Sequence, residues 1–239
     1  MSILKEFDLD IPYINSGTPE DYEANWKQKR IQFRDEIRCV ASLVERSFEQ
    51  YKTSDSWKVL IEVVDVITDP GVKDFSGVCR VQVQFHVDTF FSKNDEEKKE
   101  ATLDLMRRGI YSIILAKGWD SVPFERALEI AKNQNLINEW YWKKPLVSSN
   151  RKYKASLYIV HEVKGIKGIL IVANKNNEEI LRVEAFRDRP NEWAYLRFLG
   201  KLEWSTHNEV VLLDKRNNVV GKATVNKPSD LDILNKDMR

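Results

Sequence analysis

What the chain has little of narrows the field first. Its 239 residues include two cysteines, Cys39 and Cys79, in neither a CxxC pair nor a spaced framework. That excludes a disulfide-stapled scaffold and the common cysteine-rich zinc modules. Both read as reduced, largely buried thiols. Only three histidines occur, far apart in the chain, so no metal centre can be assembled from them and no cofactor is expected. Glycine is sparse, at nine residues, and neither a glycine-rich phosphate loop nor a GxSxG nucleophile elbow is present. No apolar run approaches the roughly 20 residues that cross a bilayer. The opening ten residues interrupt their apolar positions with acids, unlike a signal peptide. A cytoplasmic protein that does not enter the membrane is the expectation.

Charge of one sign is also lacking in excess, with 38 basic against 37 acidic residues. No global field draws the chain to nucleic acid, so such binding needs a local patch.

What is present is a chain whose patterning changes partway along. Thr18, Pro19, Glu20 and Asp21 combine a cap, a first-turn proline and acids suited to the positive end of a helix. Apolar residues then recur at threes and fours from Tyr22 through Trp26, Phe33, Ile37, Val40, Val44 and Phe48 to Tyr51. A single helix over this stretch would be roughly 45–50 Å long, a spine for its domain. Trp57–Ile67 is apolar on both parities and reads as a central strand, and Val78–Phe90 alternates strictly. Thr68-Asp69-Pro70-Gly71 between them supplies turn chemistry for an antiparallel pair. A second helix is expected from Asn94 or Asp95 to Lys117-Gly118, and a third from Ser121, with Phe124, Ala127, Leu128 and Ala131 inward.

The segment from Lys143 to Lys152 breaks every period. Beyond it short alternating runs indicate about six antiparallel strands, with tight turns at Asn174–Asn177 and Asn217-Asn218 and another at Gly165–Gly168. Leu181, Val183 and Ala185 alternate with Arg182, Glu184 and Phe186, while Leu196, Phe198, Leu202 and Trp204 share one parity against Arg197, Lys201 and Glu203. The fold class is therefore α+β: a long helix, an antiparallel strand pair and two further helices, then an antiparallel β-meander closing as a small barrel or sandwich. The expected organisation is an α+β domain over 1–145, an antiparallel β domain over 151–225 and a charged tail over 226–239.

Few constellations carry chemistry. His86 and Asp88 would share a strand face with Gln82 and Gln84, a pairing that can hold a general base or a metal, although a polar sheet face is expected there anyway. His161 falls on the core parity of its strand, and His207 in a loop. Cys39 lies deep in the long helix, away from any activating partner. No catalytic residues are assigned.

The unusual compositions are two aromatic and basic clusters. In Trp140-Tyr141-Trp142, followed by Lys143 and Lys144, consecutive aromatics would spread over about 200° of arc on a helix and alternate faces on a strand, so in either case one core cannot receive all three. The second comprises Arg187, Arg189, Trp193 and Arg197, with Tyr195 between. Protein interfaces are anchored by Trp, Tyr and Arg, unpaired bases stack on the same mixture, and a seam between the two domains would bury the aromatics and leave the charges outside. The leading expectation is a non-catalytic protein-binding module, an immunity-type inhibitor of a toxic enzyme being its most concrete form. A nucleic-acid-binding protein is the alternative, and an enzyme near His86 and Asp88 comes third.

Overall fold

The computed structural model describes residues 1–13 and 18–226. The tail expected at 226–239 lies, beyond residue 226, outside them. In chain order the elements are β1 (Ser2–Leu4), β2 (Glu6–Asp10), α1 (Pro19–Asp21), a π-helical turn (Tyr22–Trp26), α2 (Lys27–Glu36), α3 (Arg38–Ser47), β3 (Tyr51–Thr53), β4 (Lys58–Val64), β5 (Lys73–Phe75) and β6 (Val78–Gln84). There follow α4 (Val87–Phe91), α5 (Asp95–Lys117), α6 (Val122–Asn133), β7 (Asn138–Val147), β8 (Tyr153–His161), β9 (Ile166–Asn174) and β10 (Glu179–Asp188). Last come α7 (Glu192–Tyr195), a 3-10 turn (Leu196–Phe198), β11 (Lys201–Trp204), β12 (Glu209–Leu213) and β13 (Val219–Thr224). Two compact units result: Met1–Asn138 with His161–Lys164, and Glu139–Val160 with the chain from Gly165 onward.

In the first unit a four-stranded sheet of order β2-β4-β6-β5 carries helices on its apolar face. β4 is central and nearly all buried, because its apolar residues fall on both parities. An antiparallel pair is present, formed by β5 with β6. β4 and β6 themselves run parallel, contrary to the pairing that the Thr68–Gly71 turn suggested. That turn leads instead into β5, and the tight reversal comes at Ser76 and Gly77. Both have positive φ there, +50° and +81°, as a two-residue hairpin with matching twist requires.

The expected spine is helical from Pro19 to Ser47 but not one helix: the π turn at Tyr22–Trp26 and the break at Ile37 divide it, and Phe48 turns extended. The apolar stripe still holds, with Phe33, Ile37, Val40 and Val44 buried against Phe7, Leu9 and Phe90 in one core. The other two helices match their local chemistry. Asn94 accepts from the Glu97 amide at 3.0 Å while the Glu97 carboxylate accepts from the Asn94 amide at 2.9 Å, and Gly118 ends α5 at φ +64°. α6 buries Phe124, Ala127, Leu128 and Ala131.

The second unit holds a four-stranded sheet, β10-β9-β8-β7, and a three-stranded sheet, β11-β12-β13. Ala155, Leu157, Ile159, Leu170, Val172, Phe186, Val210 and Leu212 fill the space between them. The sheets meet at both pairs of edges. At one seam Gly221 of β13 lies so close to Ala185 of β10 that an added Cβ would stand 2.6 Å from the Ala185 Cα. At the other, the Trp204 indole of β11 donates to the Leu146 carbonyl of β7 at 3.0 Å. Asn177 and Asn217 take the expected positive φ in their hairpins, at +63° and +65°. Ile166–Gly168 belong to β9, so the turn expected at Gly165–Gly168 ends at Gly165. Phe186, read with the polar parity of β10, is buried because a register shift between Glu184 and Phe186 inserts one residue and reverses the alternation.

Candidate binding surface of the β unit

β7 separates the first aromatic run by its pleat. Trp140 and Trp142 pack against the core of the unit. Tyr141 points the other way and is 58% exposed. Lys143, next along, has φ +65°, and its ammonium lies 4.0 Å over the Trp142 ring.

On the outer face of the same sheet Tyr141 meets Tyr158 of β8, with ring centroids 4.9 Å apart and planes tilted by 54°. The Arg182 guanidinium of β10 stands 5.9 Å from the Tyr158 ring centre. Tyr158 and Arg182 are each held by a carboxylate. The Tyr158 hydroxyl donates to Glu139 at 2.5 Å, and that hydrogen bond, reinforced by burial, raises the phenol to about 12. Arg182 is forked onto Glu179 at 2.8 and 2.9 Å, which raises the guanidinium and lowers the carboxyl.

The second cluster sits at the far end of β10. Arg187 forks onto Glu184 and lies opposite Lys167 in the ladder. Asn191 caps α7 by accepting from the Ala194 amide at 3.0 Å, and Tyr195 buries its ring to fix this short helix. Trp193 is left outside, 95% exposed. The strand expected from Leu196 onward is wrong in its first half, because Leu196–Phe198 is a 3-10 turn and only Lys201–Trp204 pairs. Arg197 therefore projects from that turn, bonded to Asp188 at 2.9 Å and lying 4.7 Å from the Phe198 ring centre. Arg189 is exposed on the intervening loop.

The histidines fall elsewhere. His86 and Asp88 do not share a strand face: β6 ends at Gln84, His86 precedes α4 and Asp88 lies in its first turn. Asp88 pairs with Lys29, whose hydrogen bond lowers the carboxyl, and His86 lies 3.8 Å from Asp65 with both side chains mostly exposed. The signal was in the spacing, since Val87, Phe90 and Phe91 recur at helical intervals. His161 is buried, as its parity indicated, with Nδ1 3.3 Å from the Ser42 hydroxyl and 3.4 Å from the Asn138 amide. His207 is exposed in the β11–β12 loop. Among the described residues no three His, Cys, Asp or Glu side chains converge to hold a metal, and no helix is long and apolar enough to cross a membrane. Both thiols are buried, and burial pushes each up to about 12.

One property of this surface escapes a reading of the whole chain. The near-neutral total divides unevenly: among the described residues the second unit holds 15 basic against 9 acidic, a formal +6, and the first holds 20 against 25, a formal −5. Charge counted per domain, rather than per chain, carries this signal in the sequence. No family model, curated protein or solved structure matches the chain.

Proposed function

We propose that this chain is a non-catalytic, cytoplasmic binding protein whose β unit takes a nucleic-acid strand. The observation that carries the reading is the segregation of charge, which leaves the unit bearing both aromatic clusters at a formal +6. A cationic module recruits a polyanion whatever its sequence, and exposed aromatic rings add contacts to unpaired bases. Trp193 fits this role, since a tryptophan 95% exposed contributes almost nothing to folding. The pairing of Arg187 with Glu184 and of Arg197 with Asp188 fixes those guanidinium groups without neutralising the unit.

The test is anisotropy of a labelled oligothymidylate titrated with the full chain at several salt concentrations. Log affinity should fall linearly with log salt, and replacing Arg189 or Arg197 with glutamine should lower the slope by about one unit each. Trp193→Ala should weaken binding at unchanged Tm. Absence of salt-dependent binding would remove the reading.

A protein partner, including the immunity-type role, is favoured by a different observation. Tyr111 of α5 and Val122 of α6 line a groove of about 580 Å³ together with Arg107, Glu125, Arg126 and Glu129, and Leu115, four residues beyond Tyr111 on α5, is 82% exposed. An apolar patch with a charged rim is a protein-contact feature. A pulldown lost on Leu115→Glu and indifferent to Trp193→Ala would select this second reading.

A further inference from the structure

We infer that the outer face of the four-stranded sheet is a stacking platform for unpaired bases, with Tyr141, Tyr158 and Arg182 as its surface. The inference rests on the nucleic-acid reading and adds where the bases lie and which form of nucleic acid is taken. Its basis is geometry independent of net charge. Tyr141 and Tyr158 stand on neighbouring strands with centroids 4.9 Å apart, and Arg182 reaches the same ring from β10 across β9. These are two π faces and a planar cation on one side of one sheet.

The platform is also set in place before any ligand arrives. Glu139 holds the Tyr158 hydroxyl at 2.5 Å and Glu179 holds Arg182 through Nε and Nη2, so neither side chain must be ordered on binding. Both carboxylates engage polar groups, the Tyr158 hydroxyl and the Arg182 guanidinium, rather than the rings themselves. A cross-strand tyrosine pair can serve sheet stability alone, but the core of this unit lies on the opposite face, where Trp140 and Trp142 pack. Tyr141, 58% exposed, is on the solvent side. Bases are available to flat rings only when unstacked from a partner strand, so the ligand is single-stranded and its sequence matters little.

The experiment compares wild type, Tyr141→Ala, Tyr141→Phe and Arg182→Gln against an oligothymidylate and a duplex of equal length. Ultraviolet crosslinking followed by peptide mapping locates the contact. Tyr141→Ala should lose roughly 5- to 150-fold in affinity, the equivalent of about 1–3 kcal/mol for one stacked base, with the salt slope unchanged. Tyr141→Phe should bind as wild type, because the ring and not the hydroxyl stacks. Arg182→Gln should lower both affinity and slope. Crosslinks should map to the peptides holding Tyr141 or Tyr158.

Salt-dependent binding that is indifferent to Tyr141→Ala, or equal affinity for strand and duplex, would overturn the platform and leave the broader reading standing. If the wild type binds no oligonucleotide at low salt, both fall. A Tyr141→Ala protein that melts lower but binds normally would show the pair to be structural and would also refute the platform.

Discussion

Lys98 and Glu36 provide a sharp test of how the first unit is held together. The Lys98 ammonium donates to the Glu36 carboxylate at 2.7 Å, with the two side chains only 5% and 6% exposed. Gln32 supplies a second donor to that carboxylate at 2.9 Å, and the ammonium lies 5.6 Å from the centre of the Phe90 ring. Replacing Lys98 with methionine keeps the apolar stem and removes the charge, which leaves the Glu36 carboxylate buried without its cation and with the neutral Gln32 amide as a donor. Breaking a buried pair in this way costs about 3–5 kcal/mol. For a unit of this size that is a fall in Tm of roughly 6–20 °C, at about 2–4 °C per kcal/mol. Removing both charges, as Glu36→Leu with Lys98→Met, should recover most of the loss, because the desolvation cost disappears with the attraction. The measurement is urea unfolding of both single variants and the double variant, followed by far-ultraviolet circular dichroism. A Lys98→Met protein within about 1 kcal/mol of wild type, on the scale of an exposed pair, would refute the buried-pair reasoning.

Four further outcomes are expected. A thiol-specific reagent should modify neither Cys39 nor Cys79 in the native protein and both in denaturant, since each is buried with its thiol pushed up to about 12. The same shift makes stability fall as pH rises above about 9, where unfolded thiols ionise and folded ones do not, by up to about 1.4 kcal/mol per pH unit per thiol. Alkaline denaturation of a Cys39→Ala, Cys79→Ala protein should show a shallower decline. Gly168→Ala should destabilise the β unit by about 1–3 kcal/mol, read as a lower Tm, because the added Cβ falls on the Phe186 ring. Asn94→Ala should cost about 1 kcal/mol through loss of the cap, a loss detectable by denaturant midpoint.

What was legible in the sequence was local chemistry. Asn94 with Glu97, Gly118, and the asparagines at 177 and 217 each specify a cap or turn from neighbouring atoms alone, and the structure has them there. Strand pairing is non-local, and there the reading failed. Thr68–Gly71 has turn composition, yet nothing in it says whether the next residues pair with β4 or, as β5 does, with β6. Parity counting fails wherever one residue is inserted, as at the bulge that buries Phe186. It also fails where a strand stops early, as before His86. Of the candidate residues, Tyr141, Trp193 and the arginines lie at the surface, whereas Trp140 and Trp142 were indistinguishable from them until the direction of β7 was known. Tyr158 and Arg182 were missed because they come together only through strand order across the sheet.

The two seams of the β unit bear on how this protein behaves in a crowded solution. A sheet with bare edges offers unpaired amides and carbonyls to any passing strand, the usual start of edge-to-edge aggregation. Here Gly221 brings β13 against the β10 edge, and Trp204 caps a carbonyl on the β7 edge. In the other unit the edge strand β5 is three residues long and begins Lys73-Asp74. A larger side chain at position 221 would therefore do more than strain a contact, since prying β13 away would expose a ten-residue strand, β10, to pairing between molecules.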